Sequence, residues 1–515
     1  MNNLFQYTDI KEDTVVRAQV CVIGSGCGGA TLAKKLTDLG IDVVILEQGG
    51  FYAANDMDQN ELNMAGKLSA NRNFSTNHDA GTFLSYGANV GGASVHYWAD
   101  SYRTPQFKLD EWSENYGVKG HGATDLESAF LELENELNIH EPAEEFFNPM
   151  NQHLRVAAKK LGWKGHKVPQ ARKNCQKSGH CMQGCVYSAK QSQIVTHIPQ
   201  ALNQGGRLFA DAMADEFIYE GDRVNSLNVK MIDRPSGNPN GIRLSVIADH
   251  YVLAGGGFNS SFFMLKQGLK SRLPALGKYF SMNPTAMVHA IYPDDIVMWR
   301  NIPAAFGIDH FIERKFSQGS YLEGGYLVMP NQLHPGTFAA MLPGFGEEHA
   351  RWMSQMSRIG GTISWIDDIP DELGEIRMTS GGGREVYYPY GAQTTSVLRD
   401  SLKKQATLHF AAGAKKVIIA GAQGIQLGSE NEISIIDNIE VSAGQLFMGA
   451  PHPGGGCRMG ENPDTSVVDS HHKVHGFSNL HVADSSVFPT SSALDPSLTI
   501  MAFSHIAAQN IAARF

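Results

Sequence analysis

The sequence predicts a mixed α/β fold, α+β overall, on three observations. A strand, a glycine turn, a helix and a second strand follow one another within the first fifty residues. A further strand ending in a glycine turn stands at 247–257, and the chain closes on a strand followed by a helix at 480–513. At 515 residues the chain is too long for one simple core, so a second lobe, or a second domain, is expected beside the unit these pieces build.

The opening element is Ala18-Gln19-Val20-Cys21-Val22-Ile23, apolar enough for a short buried strand. Gly24-Ser25-Gly26-Cys27-Gly28-Gly29 follows at once. The stretch from Ala30 to Leu39 then reads as a helix with Leu32, Leu36 and Leu39 on one face, and Gly40 stands where a helix C-cap is expected. Ile41 to Leu46 is the second strand, and Glu47 stands at its end. This spacing is that of a Rossmann-type dinucleotide site. Gly24 allows the tight turn, Gly26 lets backbone approach a diphosphate, and Gly29 lets helix and strand pack closely. The helix N-terminus offers unpaired N–H groups and a positive dipole end to the phosphates. Glu47 is placed to accept hydrogen bonds from ribose hydroxyls, and a carboxylate there disfavours a 2′-phosphate. The motif alone does not separate FAD from NAD; its place at the start of a long chain points to FAD.

Composition narrows the partners. Acidic residues outnumber basic ones, 52 to 42, for a formal charge of −10, and no dense Lys/Arg tract appears, which speaks against nucleic acid. The N-terminal residues lack the basic start, apolar stretch and cleavage site of a secretory signal, and no apolar run is long enough for a bilayer span. A cytoplasmic protein without a membrane span is expected; an accessory subunit carrying an export signal stays open. Six cysteines in a chain of this length are not a disulfide scaffold.

Four further segments bear on function. Asn89-Val90-Gly91-Gly92-Ala93-Ser94-Val95-His96-Tyr97-Trp98 carries a Gly-Gly turn, and 247–257 reads IADHYVLAGGG. Pro451-His452-Pro453-Gly454-Gly455-Gly456-Cys457-Arg458 and Val482-Ala483-Asp484, running on to Asp495-Pro496-Ser497, stand near the C-terminus. Together with the opening fingerprint, and in this order, they resemble the glucose–methanol–choline (GMC) oxidoreductase family. The resemblance implies a Rossmann-like FAD-binding domain that is discontinuous, over 1–105, 200–290 and 446–515. A substrate-binding domain would then comprise 106–199 and 291–445, built on an antiparallel sheet with helices over the flavin. It also implies that Gly91, Gly92 and Ser94 lie along the flavin, and that Asp484 and Pro496 join Gly24, Gly26, Gly29 and Glu47 in holding the cofactor.

The implied chemistry is oxidation of the CH–OH group of an alcohol or sugar-like substrate. A base takes the hydroxyl proton and flavin N5 accepts hydride. His452 matches the family's His before a glycine turn and is expected to be that base, or the partner of the alkoxide. The second catalytic position, usually His or Asn, is Asp495 here. An ionised Asp cannot donate the hydrogen bond that Asn would. Three readings stay open for Asp495: protonated and donating, ionised as a second base or partner of protonated His452, or selecting a cationic substrate. His96 matches a position that carries a covalent flavin link in some relatives and a non-covalent contact in others. Electrons would pass to oxygen or to an external acceptor. Non-redox or photochemical activity on the same fold, a lyase or a decarboxylase, is the competing function, and a binding or electron-carrying protein with an inactive site is a third.

Cys175, Cys181 and Cys185 crowd one glycine-containing loop. Three thiolates can hold a soft metal or an iron–sulfur cluster, and with His180 a zinc ion. The segment resembles one that holds a three-iron cluster in sugar dehydrogenases of the family, and also one in long-chain-alcohol-oxidase-like relatives. Reduced thiols with a packing role are the preferred reading. Thr379 to Arg384 reads as a turn and not a second phosphate loop, because no helix follows.

Overall fold

The structure, a computed structural model, describes residues 3–515. Its first sheet has eight strands. At its centre β1 (Thr14–Ile23) leads through the glycine turn into α1 (Cys27–Asp38) and back to β2 (Val43–Leu46), which pairs with β1 in parallel. The helix starts earlier than its apolar spacing suggests, because Gly26 serves as its N-cap; Gly40 follows the helix end at φ 77°. β3 (Asn238–Leu253) pairs with β1 in parallel and leads into α2 (Gly256–Lys266). Beyond β2 lie the short parallel strands Arg207–Phe209 and Leu4–Phe5.

On the far side of β3 the sheet divides. The first half of β3 continues an antiparallel meander with Arg223–Asp233 and Ala212–Glu220. Its last three residues instead take β4 (Leu480–Val482) in parallel. The α3 helix (Ser497–Ala512) then returns against α1, and Ala30, Ala33, Ala507 and Ala508 share one core with Val20, Val22 and Ile45. Small side chains let the two helices approach closely over the sheet.

The second large sheet is ordered Tyr326–Pro330, Ile359–Ile366, Thr285–Ile291, Met448–Ala450, Thr82–Leu84, Ser75–Thr76. It is antiparallel except where Met448–Ala450 runs parallel to Thr82–Leu84. Its strands include 75–84 and 448–450, which the boundaries expected from sequence assign to the dinucleotide unit. A twenty-residue helix, Ala392–Ala411, covers it with Val397, Leu398, Leu402, Ala406 and Leu408. The Thr379–Arg384 segment closes a hairpin between Gly374–Met378 and Arg384–Tyr387, the turn its lack of a following helix predicts. Among the described residues no helix is long and apolar enough to cross a membrane.

Candidate active site

The opening turn is built as its glycines require. Gly24 has φ 111°, and a Cβ there would lie inside the Ala254 carbonyl; a Cβ at Gly29 would overlap the carbonyl oxygen of Gly24. At Gly26 a Cβ would meet only Gly92 Cα, at 3.9 Å, so this position faces free space. No side chain caps α1 at Gly26, so the first-turn N–H groups are left for a ligand. Glu47 follows β2 and is already engaged. One oxygen accepts from the Ser25 amide at 3.1 Å and the Ser25 hydroxyl at 2.7 Å, the other from the Gly49 amide at 2.9 Å. Burial pushes its pKa up against those donors. The remaining lone pairs are what a ribose would use.

The Gly-Gly turn lies against this loop. Gly91 and Gly92 both take positive φ, 95° and 56°, and a Cβ on Gly92 would come within 2.8 Å of Gly26 Cα. The Gly91 amide donates to Ser25 Oγ at 3.0 Å, and Ser94 Oγ donates back to the Gly91 carbonyl at 2.6 Å. His96 is 6% exposed, its Nε2 has no protein partner, and burial lowers its pKa to about 4, so the ring is neutral. Asp484 knits the C-terminal segment to the start of α2: it accepts from the Gly256 amide at 2.8 Å, Ser260 Oγ at 2.5 Å and the Ser486 amide at 2.8 Å. An uncapped helix end, a glycine facing free space and a neutral orphaned imidazole together fit an extended dinucleotide with an aromatic end.

His452 is delivered by the strand Met448–Ala450, whose neighbour Thr285–Ile291 pairs Thr285 with Gly449. Carrying that antiparallel register outward brings Asn283 beside His452. The Asn283 amide is fixed by donation from Nδ2 to the Ile366 carbonyl at 2.6 Å, so its Oδ1 accepts from His452 Nδ1 at 2.8 Å. With Nδ1 committed as a donor, Nε2 is the working nitrogen, and it stands 3.2 Å from Asp495 Oδ1. Trp365 packs on the imidazole, ring centroids 4.9 Å apart. Asp368 holds Asn283 in place: its carboxylate accepts from the Met282 and Asn283 amides at 3.1 and 2.8 Å and from Tyr388 Oη at 2.7 Å, and burial lifts its pKa to about 6. Pro496 caps the start of α3 and, with Ser281, Phe488 and Ser492, lines a small cleft in front of His452.

A sequence model of the family described as GMC oxidoreductase matches this chain over residues 20–285 with its N-terminal part and over 395–504 with its C-terminal part. The chain belongs to the GMC oxidoreductase family. A GMC-type oxidoreductase of Mycobacterium tuberculosis is 26% identical over 97% of this chain and 77% of its own length. A long-chain-alcohol oxidase of Arabidopsis thaliana is 26% identical over 98% of this chain and 69% of its own. Among solved structures, pyridoxine 4-oxidase from Mesorbium loti superposes with a TM-score of 0.71 at 15% identity, covering 96% of this chain and 98% of that one.

The cysteine loop of this GMC oxidoreductase is arranged otherwise than a ligand cage. Arg172 Nη1 donates to Cys181 Sγ at 3.4 Å and to Cys175 Sγ at 3.9 Å, and all three thiols of Cys175, Cys181 and Cys185 are free. Lys190 Nζ enters from the other side and donates to the carbonyls of Val95, Tyr97 and Cys181 at 2.7, 2.9 and 2.6 Å; burial lowers its pKa to about 8. Among the described residues no group of three or more His, Cys, Asp or Glu side chains is placed to hold a metal ion. The loop reads as free thiols packed beside two buried cations.

Asn283, Asp368 and Trp365 belong to the site and escape sequence reasoning. The only local signal is Asn283-Pro284 ahead of a strand, and nothing in the sequence ties that dipeptide to His452.

Proposed function

We propose that this GMC oxidoreductase binds FAD along Gly24, Gly26, Gly29, Glu47, Gly91, Gly92 and Asp484 and oxidises the CH–OH group of an alcohol. The observation that carries the reading is the line Asn283–His452–Asp495 opening on the cleft. FAD, when bound, supplies the hydride acceptor. The protein supplies the proton chemistry. Asn283 sets the His452 tautomer and leaves Nε2, beside Asp495, to accept the proton that the substrate hydroxyl gives up. Phe488 and Trp365 keep bulk water from the imidazole.

The test is an anaerobic screen of primary and secondary alcohols for bleaching of the flavin in the purified holoenzyme, with His452→Ala beside it. Bleaching by at least one alcohol, slowed by about a hundredfold or more in the variant, is expected. A colourless protein that cannot be reconstituted with FAD, or a variant that bleaches as fast as the parent, refutes the reading.

A further inference from the structure

Two buried carboxylates near His452 each keep one oxygen without a partner. Asp100 is 1% exposed. Its Oδ1 accepts from Gln170 Nε2 at 2.7 Å, and its Oδ2 is buried with no hydrogen bond. Asp495 Oδ1 faces His452 Nε2, and its Oδ2 is likewise buried and unpaired. Ser497 Oγ, two residues beyond Asp495, donates to the Asp100 backbone carbonyl at 3.2 Å, which ties the Asp100 backbone to the start of α3. After burial itself, the negative charge of Asp495 is what most raises the pKa of Asp100.

Among the described residues no cationic side chain forms an ion pair with Asp100. Arg172, whose charge acts on Asp100 and lowers its pKa, reaches it through Gln170, whose Oε1 accepts from Arg172 Nε at 2.7 Å while its Nε2 serves Asp100. The remaining Arg172 donors go to the Trp98 carbonyl and the cysteine sulfurs. An unpaired buried carboxylate oxygen is costly, and two beside each other cost more. The surrounding wall is aromatic: Trp98 and Trp365 have centroids 6.1 Å apart, and Tyr102 packs in the same cluster with Trp365 and Leu494. Trp98 is only partly buried, and its indole Nε1–H is also without a partner. Paired carboxylates within aromatic faces suit an ammonium group, which brings three donors and a positive charge and gains from ring faces.

We propose that Asp100 and Asp495 together form a dicarboxylate subsite for the protonated amine of an amino-alcohol substrate, with Asp100 as the specificity-determining half. This rests on the reading that the site oxidises an alcohol, and it narrows that reading to a substrate class. Gln170 is a positioning residue, holding Oδ1 of Asp100 so that Oδ2 is left for the ligand.

The test separates cation binding from turnover. Holoenzyme is titrated with n-butylammonium, which has no hydroxyl to oxidise, and with butyramide, a neutral hydrogen-bond donor of similar size, and binding is followed by perturbation of the flavin absorbance. Tighter binding of n-butylammonium by at least about tenfold is expected, with that advantage lost in Asp100→Asn while butyramide binding stays within about threefold. Flavin reduction by ethanolamine should likewise exceed that by ethylene glycol in the parent, and the preference should fall in the variant. Equal binding of the two ligands by the parent protein overturns the proposal without recourse to any variant, and would mean that the two carboxyl groups share a proton between themselves. An Asp100→Asn protein that weakens both ligands equally overturns it too. Tight n-butylammonium binding with no alcohol reducing the flavin would instead count against the oxidase-type chemistry and leave the cation subsite standing.

Discussion

Asn283→Ala removes the acceptor that sets the His452 tautomer, and its effect can be worked from two hydrogen bonds. The Oδ1 contact to His452 Nδ1, 2.8 Å, is lost, and so is the Nδ2 contact to the Ile366 carbonyl, 2.6 Å. Leaving the buried Ile366 carbonyl unsatisfied should cost about 1–3 kcal/mol of stability. Losing the tautomer constraint lets the proton sit on Nε2, where it blocks the proton-accepting atom. A penalty of similar size, about 1.4–3 kcal/mol on the barrier, corresponds to about a 10- to 150-fold slower flavin reduction. The assay is anaerobic stopped-flow bleaching with the best alcohol from the screen, alongside thermal unfolding. Asn283→Asp restores an acceptor but not the donor, so it should recover part of the rate and none of the stability. Reduction by the Ala variant within twofold of the parent would refute the tautomer argument, whatever the stability change.

The glycines make a paired prediction. Gly29→Ala should destabilise the apoprotein, because its Cβ has no room beside the Gly24 carbonyl, whereas Gly26→Ala should leave apoprotein stability within about 1 kcal/mol and abolish flavin retention; unfolding midpoints and flavin-to-protein absorbance ratios check both. Lys108 is wholly buried between Glu111 at 2.8 Å and Asp367 at 3.1 Å, so Lys108→Met should cost about 3 kcal/mol by leaving Asp367 to Arg314 and the Ser491 hydroxyl; a denaturant midpoint close to the parent's would contradict it. Burial lowers His289, His409 and His472 to about 3 and His121 to about 4, below the ordinary 6.5. The unfolded chain therefore takes up protons first: their contribution to stability is full above about pH 6.5 and is lost as pH falls toward about 3. The unfolding temperature should drop steadily across that window, and a flat profile would show that these rings stay accessible to protons in the fold.

The dinucleotide turn was legible because its chemistry is local: the steric demands at Gly24 and Gly29 act within one short segment, and the sequence displays them in one line. His452 and Asp495 could be picked out because each sits in a segment whose neighbours carry the family pattern. Asn283, Asp368 and Asp100 could not, since each acquires its role only from a partner far along the chain; Asn283 and His452 are 169 residues apart and meet through the pairing of Thr285 with Gly449. The strand expected at 247–253 begins well before that, at Asn238, because a meander partner extends it through polar residues that no apolar pattern marks. In the cysteine loop the spacing alone admits ligands, whereas Arg172 Nη1 donates to the sulfurs of Cys175 and Cys181, a contact that no spacing rule records.

The division of the first sheet at β3 bears on how the protein is made. The segment Tyr251–Leu253 cannot complete its pairing with anything nearby, since its partner on that side is Leu480–Val482, synthesised far later. Until β4 emerges, the backbone N–H and C=O groups along that edge have no strand to bond. A nascent chain that has already folded its opening turn thus carries an open strand edge through much of translation. Such an edge invites pairing with other chains. Ribosome-bound or truncated forms ending before residue 480 should therefore aggregate unless a chaperone shields them, and cofactor loading should come after release, once the C-terminal segment has closed the sheet.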